Sequence, residues 1–524
     1  MHRFFLILTF TVWFPLVLSA QGGAAETSCV PMDVRDLELT RQLWLQTRNA
    51  AGLSLMPVKD GGVGVASAGK TGGDFNRVQE GNATNAFSFT ADHYDNLKDS
   101  VYFYGKFRFD MSREFERSWS DVFDTYNANP YIYGSSVKGK YDLQMFDLFT
   151  KIATRSIGRY TFGLEADYRV GSLSRLRDPR SLTNLADYNL TPSLTFRLSD
   201  HQVAGLHLTY RRRKEKTPGI ITVQTTPNLK YYTFSGMENV TGTIGAYSSF
   251  GREFVSNILG AGVDYSLELG SLHSLNTLTY DAEHENVWGD IKYSPGEYRE
   301  GTLRFASYNT LEGEHHLNLL EIKAEKVSGK ADEFRQQQVY TTDTVTKIVS
   351  TYWKTLYTYK GRYYVDTYDF SAHYRLYFLN DAHGYNSWIG CTMRYNAFSN
   401  QYHLPESSLD VRTLSGQLEG RLAFFRKGKH SLWLESRLTG FCALNAEMSL
   451  QDKTTDYAVQ VLIPDLDYYK SSYLNGNGSL QYYFPLQLKK MRSTGFLKVY
   501  GDNSWLTTSR TKWGIGLSAG FLID

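Results

Sequence analysis

The chain has 524 residues, with 56 Lys and Arg against 54 Asp and Glu and a formal net charge of +2 at pH 7. Because basic and acidic residues are nearly equal in number, a polyanionic partner is not indicated, and we expect no nucleic acid to bind. Composition is uniform from about residue 60 onwards, which favours one large domain over several joined by linkers.

The N-terminus has the layout of a secretory signal. A basic start at His2 and Arg3 precedes an apolar run from Phe4 to Leu18, and the small residues Ser19 and Ala20 follow. This order of segments is typical of a cleavable signal peptide, here residues 1–20. A transmembrane anchor is the alternative, but the apolar run is short for a span. We therefore expect export.

A short helix is predicted directly before the main domain. The stretch from Asp33 to Arg48 has apolar Val34, Leu37 and Trp44 near helical spacing, and its first residue suits an N-cap. Residues 21–60 are therefore expected to form a periplasmic, plug-like segment.

The segment that follows, "NAAGLSLMP" at 49–57, resembles the Asn-Pro-Ala-Gly-Leu element that ends the N-terminal hatch of FadL-like fatty-acid channels in Gram-negative outer membranes. Ala50 stands where that element has proline. The resemblance implies a hatch built on four residues: Trp44, Asn49, Gly52 and Leu53. The alternative is a helix and turn that merely lead into the first strand.

Period-two alternation dominates the rest of the chain. In "YDFSAHYRLYF", 368–378, the even positions are apolar or aromatic, and the odd positions include Asp369, His373 and Arg375. Such a pattern indicates a half-buried strand, either in an ordinary sheet or in a transmembrane barrel with a polar lumen. Segments 101–111 and 160–169 repeat the pattern.

The connections favour the barrel. Short polar turns are predicted at 199–201, 270–271, 311–315, 380–384, 427–429 and 485–490. Longer polar stretches lie between the hairpins, at 212–256, 327–361 and 443–468. Alternation of short turns with long loops is typical of outer-membrane barrels.

We therefore predict an all-β fold, an antiparallel transmembrane β-barrel over residues 61–524. Its strand number is about 18, or 14 or 16 if the weaker segments near 141–158 merge. No segment after the signal has the uninterrupted apolar length of a membrane helix. The expected location is the outer membrane.

Two hairpins predict a register. With a turn at 427–429, opposed residues sum to 856, which sets Glu419 opposite Arg437 and Arg421 opposite Glu435. Across the turn near 380, a sum of 763 sets Asp369 opposite Arg394 and His373 opposite Gly390. Pairs of opposite charge on one face would help to fix each register.

The polar phase of the predicted strands supplies the expected lumen lining. Its members are Lys106, Arg108, Glu165, Asp167, Arg169, Arg197, His207, Arg211, Asp369, His373, Arg375, Arg394, Glu419, Arg421, Glu435 and Arg437. Their mixed charge predicts no strong ion preference. Whether the 33–57 segment or the long loops plug the lumen stays open.

The C-terminal "WGIGLSAGFLID" resembles the terminal strand by which outer-membrane barrels are recognised by their assembly machinery. The residues that carry the resemblance are Gly516, Ala519, Phe521 and Ile523. Over the whole chain, "LWLQTRNAAGL", "RDPRSL", "AGLHLTYRRRKEK" and this strand resemble an uncharacterised outer-membrane barrel family of Bacteroidota. That resemblance implies association with TonB-dependent uptake systems and assigns no catalytic residues.

Enzymatic and metal chemistry are not expected. His373 and Asp369 are about 13 Å apart along one strand, too far for a hydrogen-bonded pair. "DAEHE" (281–285) and "EGEHH" (312–316) occupy strand-end and turn positions, where solvated charge is normal. Cys391 and Cys442 lie on the apolar phase and are expected to be structural. We predict no catalytic residue, metal or cofactor.

The functional hypothesis is a channel, or an accessory component, for the uptake of a small solute. The first alternative is a non-transporting structural or binding partner of a TonB-dependent receptor, and the second is a hydrolase embedded in the barrel. Expected partners are outer-membrane lipid and lipopolysaccharide, the assembly machinery, and a TonB-dependent receptor. Nothing in the sequence identifies the substrate.

Overall fold

The computed structural model describes residues 32–55, 60–97, 100–126, 128–223, 229–244, 250–380, 384–488, 491–506 and 509–523. The predicted signal peptide and Cys29 lie outside these ranges. No helix within them is long and apolar enough to cross a membrane.

Strands account for most of the described chain. In order they are β1 (Gly61–Gly73), β2 (Ala83–Leu97), β3 (Val101–Arg117), β4 (Tyr133–Ser135), β5 (Gly139–Thr154), β6 (Tyr160–Arg175), β7 (Arg180–Ser199), β8 (Gln202–Thr217), β9 (Ile220–Ile221), β10 (Lys230–Gly236), β11 (Asn239–Ile244), β12 (Arg252–Leu269), β13 (Leu272–Gly289), β14 (Gly296–Glu312), β15 (His316–Thr342), β16 (Val349–Leu379), β17 (Tyr385–Tyr402), β18 (Ser407–Lys427), β19 (His430–Ser449), β20 (Tyr473–Leu488), β21 (Met491–Leu506) and β22 (Lys512–Ile523).

Eighteen of these strands close into one antiparallel barrel. Each barrel strand pairs with the next barrel strand along the chain, and β22 pairs with β1 from Gly62↔Ile523 to Gly73↔Lys512. Strands β4, β10 and β11 form a separate three-stranded sheet, and β9 pairs with the start of β7. The predicted fold class and strand number are confirmed.

The two ends of the barrel differ in their connections. At one end, here called the turn end, tight turns such as 200–201, 270–271 and 428–429 join the strands. At the other, the loop end, the connections include 118–138 and 450–472. The turn predicted at 485–490 is wrong in its start, because Pro485 still pairs with Thr494 inside the β20–β21 hairpin.

The register predicted for the β18–β19 hairpin is confirmed. Glu419 pairs with Arg437 and Arg421 pairs with Glu435. The register predicted for β16–β17 is wrong by two residues, since Asp369 pairs with Asn396 and His373 with Thr392. A bulge between Phe378 and Leu379 accounts for one of the two residues. The turn accounts for the other, because Leu379 pairs with Tyr385 instead of the predicted Gly384.

The alternation in 368–378 separates two environments as predicted. Tyr368, Phe370, Tyr374 and Phe378 are exposed on the outer surface. Asp369, Ser371, His373 and Arg375 line a cavity inside the barrel. Large apolar side chains are exposed in the same phase on β6, where Tyr160, Phe162, Leu164 and Tyr168 follow one another. The outer surface therefore carries an apolar band.

Residues 32–55, the inner segment, contain helix α1 (Met32–Arg41) and two 3₁₀ turns, Leu43–Gln46 and Ala50–Ser54. The single helix predicted over 33–48 is wrong in length, because the Gln42 side chain accepts a hydrogen bond from Trp44 N and starts a new turn. Asp33 lies in the first turn of α1 instead of capping it.

The inner segment lies within the barrel near the turn end. Leu37 packs with Leu317, Tyr377 and Tyr385, which lie at or beside the ends of β15, β16 and β17. The second 3₁₀ turn contacts β3, β5, β6 and β7. Because strands on different sides of the barrel contact it, the segment spans the lumen.

A folded layer covers the loop end. This loop cap consists of β4, β10, β11, the chain between β3 and β4, and the helical residues 456–469, which include α2 (Ile463–Tyr469). Its aromatic residues Trp119, Tyr133 and Tyr457 pack with wall residues such as Phe254 and Tyr363. Parts of the predicted polar stretches 212–256 and 443–468 therefore form a second hydrophobic core.

One hairpin extends beyond the rim. Strands β15 and β16 stay paired from Glu333↔Tyr359 to Thr342↔Val349, above the last pairs with β14 and β17. The stretch 327–361, predicted as a long polar loop, is therefore two extended strands and their turn. Val345, Ile348 and Leu356 on this ribbon are exposed.

Candidate functional site

Four neighbouring cavities occupy the space between the loop cap and the inner segment. Cavity A, beneath the cap, has a volume of about 370 Å³ and shares Thr367 and Asn396 with the central cavity B of about 740 Å³. Cavity B shares Arg304 with cavity C of about 320 Å³, and C shares Asp167 with cavity D of about 500 Å³. The four cavities therefore follow one another along the lumen, each sharing part of its wall with the next.

Cavity A combines aromatic and polar side chains. The Arg77 guanidinium stacks 3.3 Å above the centre of the Tyr126 ring and pairs with Glu80 at 2.7 Å. Asp465, on α2, accepts a hydrogen bond from Val78 N at 2.8 Å. Burial raises the pKa of Asp465 to about 7, although this hydrogen bond and Arg77 oppose the rise.

A carboxylate held by several donors forms the wall of cavity B. Glu419 Oε1 accepts hydrogen bonds from Arg375 Nη2 at 2.7 Å and His373 Nε2 at 3.2 Å. Its Oε2 accepts from Arg437 Nε at 3.2 Å and Gln417 Nε2 at 3.1 Å. Both oxygens are therefore occupied by the wall itself.

A second pair on the same wall joins β16 to β17. Arg394 donates to Asp369 Oδ2 at 2.8 Å, and Asn396 donates to the same oxygen at 3.0 Å. The two-residue register shift thus leaves Arg394 within reach of Asp369, but diagonally. On β15, Lys323 pairs with Glu321, two positions earlier on the same strand, at 2.9 Å.

Cavity C is organised around Asp281. Its carboxylate accepts from Arg48 of the inner segment at 3.0 Å and forms an ion pair with Arg304 of β14. Arg211 makes two bonds to Asp187 on a neighbouring part of the wall, at 2.8 and 2.6 Å. The inner segment therefore contributes a charged side chain directly to this cavity.

Polar anchors hold the inner segment to the wall. The Asn49 amide donates to Asp264 Oδ2 at 2.8 Å, and the same oxygen meets His207 Nδ1 at 3.1 Å. Ala51 N donates to Ser193 Oγ at 3.1 Å. Arg41 forms an ion pair with Glu312 beside a turn at the turn end.

Apolar packing completes the seat of the inner segment. Trp44 is buried and lies against Gly52, where any side chain would overlap the indole ring. Leu53 is buried with Tyr94 and Ala153 of the wall. All four residues predicted for a hatch, namely Trp44, Asn49, Gly52 and Leu53, are thus in the buried part of the segment.

Twelve of the sixteen predicted lumen residues line the cavities. They are Lys106, Arg108, Glu165, Asp167, Arg169, Arg211, Asp369, His373, Arg375, Arg394, Glu419 and Arg437. His207 is buried behind the inner segment, and Arg421 donates to the hydroxyls of Tyr385 and Tyr483. Glu435 pairs with Lys498, and Arg197 is exposed near the turn end.

Asp281 was noted only within "DAEHE" as solvated charge at a strand end, and it lies instead in the middle of β13. Sequence patterns did not single out Arg304 or the cap. Arg304 lies in the polar phase of β14, so the alternation used elsewhere would have found it. Cavity A depends on side chains from β16, β17 and the cap, and no periodicity relates those segments. Its residues come together only when the barrel closes.

The predicted assembly residues occupy the closing seam. Gly516, Ala519, Phe521 and Ile523 all lie on β22, between β21 and β1. Gly516 faces Tyr500, whose ring occupies the space that a side chain would need. Their recognition by the assembly machinery stays a prediction.

The geometry offers little to catalysis or metal binding. Among the described residues, no three His, Cys, Asp or Glu side chains cluster as a metal ligand set. His207 and Asp264 form a hydrogen-bonded pair, but both are buried and sealed beneath the inner segment. His373 contacts Glu419 instead of Asp369. The inner segment covers this His–Asp pair while it is in place.

Family membership follows from the match over the barrel. The family model described as "Family of unknown function (DUF6850)" matches residues 50–522. The chain belongs to the DUF6850 family. No curated protein sequence matches this DUF6850 chain significantly.

Solved structures resemble the DUF6850 barrel only in its architecture. The FrpB iron transporter from Neisseria meningitidis is 9% identical and has a TM-score of 0.39, covering 91% of this chain and 84% of its own. The outer membrane transporter YddB from Escherichia coli is 8% identical, with a TM-score of 0.37 and coverages of 88% and 80%. A Pseudomonas aeruginosa FadL homologue is 8% identical, with a TM-score of 0.31 and coverages of 91% and 92%. Such identities carry no information on ligand or activity.

Proposed function

We propose that the protein is an outer-membrane barrel that admits a small solute along cavities A to D, with the inner segment acting as a hatch. The observation that carries the proposal is the series of cavities with shared lining residues between the cap and the inner segment. Cavities of this size suit small molecules.

The outer surface supports the membrane location. Apolar side chains point outwards in the phase opposite to the charged lumen, as expected where lipid surrounds a closed sheet that leaves no unpaired strand edge. With the signal peptide expected at 1–20, the turn end would face the periplasm and the loop end the exterior. Heat-modifiable migration on a denaturing gel and membrane fractionation test this location.

The inner segment is held to the wall partly by polar side-chain contacts. Three of its polar anchors, Arg41, Arg48 and Asn49, bind Glu312, Asp281 and Asp264 of the wall. Asp281 retains Arg304 and Asp264 retains His207 when the segment leaves. Glu312 would lose Arg41, and Arg421 and Arg426 would lose Asp36 and Asp33, so the wall would keep only part of its charge pairing.

Conductance in planar bilayers tests the channel. In the release variant, Arg41→Gln, Arg48→Gln and Asn49→Ala are combined in the full chain, and we expect it to conduct more than the unaltered protein. The matched control carries Asn85→Ala, Lys354→Gln and Arg412→Gln, all exposed outside the lumen, and should conduct like the unaltered protein. An absence of current in every form would overturn the channel.

The exposed β15–β16 ribbon favours an accessory role as the second candidate. Tyr340, Val345 and Ile348 are exposed there, and contiguous exposed apolar side chains mark interaction sites. The expected partner is a TonB-dependent receptor. Co-purification from native membranes that is lost when the ribbon is shortened would support this role, whereas lipase and protease assays on the pure protein test the hydrolase alternative.

A further inference from the structure

We propose that the lumen selects small anionic solutes that carry a carboxylate, phosphate or sulfate group. This inference rests on the proposed channel function and names its substrate class. The inference depends on which partner of each ion pair, the cation or the carboxylate, is more exposed in cavities B and C. The described lining of cavity B has five Arg or Lys against four Asp or Glu, so a count of charges hardly distinguishes an anion from a cation.

The exposed fractions of the side chains distinguish cations from carboxylates, although the numbers of the two are nearly equal. The Arg394 side chain is 59% exposed and its partner Asp369 is 19% exposed. Arg437 is 43% exposed against 3% for Glu419, and Lys323 is 47% exposed against 20% for Glu321. In these three pairs the cation projects further into the cavity than the carboxylate does, whereas Arg304 and Glu325, another pair of cavity B, are equally exposed at 37% and 38%.

The carboxylate of Glu419 is also saturated, whereas the guanidinium of Arg437 is not. Four donors already fill the two oxygens of Glu419. A guanidinium has five N–H donors in a planar fork, and Arg437 uses only its Nε on Glu419. A solute that enters cavity B therefore meets free N–H donors on Arg437 and no free acceptor on its partner Glu419.

Cavity C shows the same difference in exposure within its ion pairs, although its described lining has four Arg against five Asp or Glu. Arg48, Arg211 and Arg304 are each more exposed than the aspartates that they bind, Asp187 and Asp281. Charge-assisted hydrogen bonds from arginine to an oxyanion are stronger than bonds between neutral groups. A row of such side chains along B and C would pass an anion from one cavity to the next.

Ion selectivity of the release variant, which lacks Arg48 but keeps Arg211, Arg304 and the cations of cavity B, tests this inference. The reversal potential in a KCl gradient should give a chloride-to-potassium permeability ratio above one. Adding Arg394→Gln and Arg437→Gln should bring the ratio towards one, because Asp369 retains Asn396 and Glu419 retains Arg375 without them. Adding Arg412→Gln and Lys354→Gln, on exposed positions outside the lumen, should leave the ratio unchanged.

Swelling of liposomes that contain the release variant gives an independent readout with solutes of similar size. Glucuronate and glucose 6-phosphate should enter faster than glucose, and glucosamine should enter slowest. Current with a ratio of one or below, or fastest entry of glucosamine, would overturn the anion preference and leave the channel intact. Absence of both current and swelling would overturn the channel itself.

Discussion

The side-chain amide of Asn49 donates to Asp264 Oδ2 at 2.8 Å inside the barrel, across 215 residues of sequence. The same oxygen lies 3.1 Å from His207 Nδ1, so one wall carboxylate joins the inner segment to the β8–β12 pair. Asn49 is fully buried. This contact, rather than any covalent constraint, fixes the middle of the inner segment to the wall.

We predict that Asn49→Ala loosens the inner segment while the barrel remains folded. Removing the amide leaves the buried Asp264 with one partner fewer, and the loss of such a bond costs about 1–3 kcal/mol. Hydrogen exchange of the backbone amides of residues 43–54 should become correspondingly faster. Asn85→Ala, at an exposed position of β2, is the control, and equal exchange in the two variants would contradict the anchoring role.

Gly52 gives a second, purely steric test. Its missing side chain makes room for the Trp44 indole ring, so Gly52→Val should push the ring away and strain the segment by about 1–3 kcal/mol. We expect a protease added to barrels in detergent to cleave the inner segment faster. Gly416→Val is the matched control, because nothing lies within 4 Å of a Cβ placed there. Similar cleavage in both would show that Trp44 is not a determinant of the closed state.

The alternation of polar and apolar residues predicted which side chains of the wall face the lumen. It could do so because successive side chains of a strand point to opposite faces of the sheet. The pairing of Glu419 with Arg437 followed from a turn of known position and the period of two. The same reasoning placed Asp369 opposite Arg394 and was wrong by two residues. One residue comes from the bulge at Phe378 and Leu379, and the other from a turn that is centred later than predicted, and neither has a signature in the pattern.

The site was less predictable than the wall. Asn49 was predicted for a hatch, but its contact with Asp264 needs the closed barrel to bring β12 beside the inner segment. The loop cap was missed because Trp119 and Tyr133 lie in a stretch without a helical or strand period. The preference for anions depends on which partner of each ion pair is exposed, and a sequence contains only the number of charges.

The cap contains a group that titrates near neutrality. Asp465 is buried on α2, and burial raises its pKa from 3.8 to about 7, against the opposing effects of the Val78 N–H and Arg77. When α2 undocks, the carboxyl returns to an ordinary pKa and ionises above about pH 4. Docking is therefore strongest below pH 4 and weakens between pH 4 and 7, by on the order of 4 kcal/mol in total.

Protease cleavage of the loop between β19 and β20 should accordingly become faster from pH 4 to 7 and level off above pH 7, once protease activity at each pH is corrected with a peptide substrate. Asp465→Asn should remove most of this pH dependence, because the amide does not ionise. Asp467→Asn, two positions along α2 and exposed, should keep it. A pH profile unchanged by Asp465→Asn would assign the effect to another group.

Glu419 provides a test of the charge network in the wall of cavity B. Glu419→Gln removes a carboxylate that accepts bonds from Arg375, Arg437 and His373. Bonds to an ionised acceptor are roughly twice as strong as neutral ones, and three donors lose that acceptor together. We expect the free energy of unfolding to fall by about 2–3 kcal/mol, measured from the urea midpoint of the heat-modifiable gel shift.

The control for this substitution is Glu447→Gln, on the neighbouring strand β19, where the side chain is exposed. Surface charges of that kind contribute about 0–1 kcal/mol, so its midpoint should stay close to that of the unaltered protein. A Glu419→Gln midpoint equal to the control would mean that water in cavity B compensates Arg375 and Arg437 fully. The positions of the lumen cations would then not depend on the wall carboxylates. The charge that a solute meets would be determined by the exposure of those cations alone.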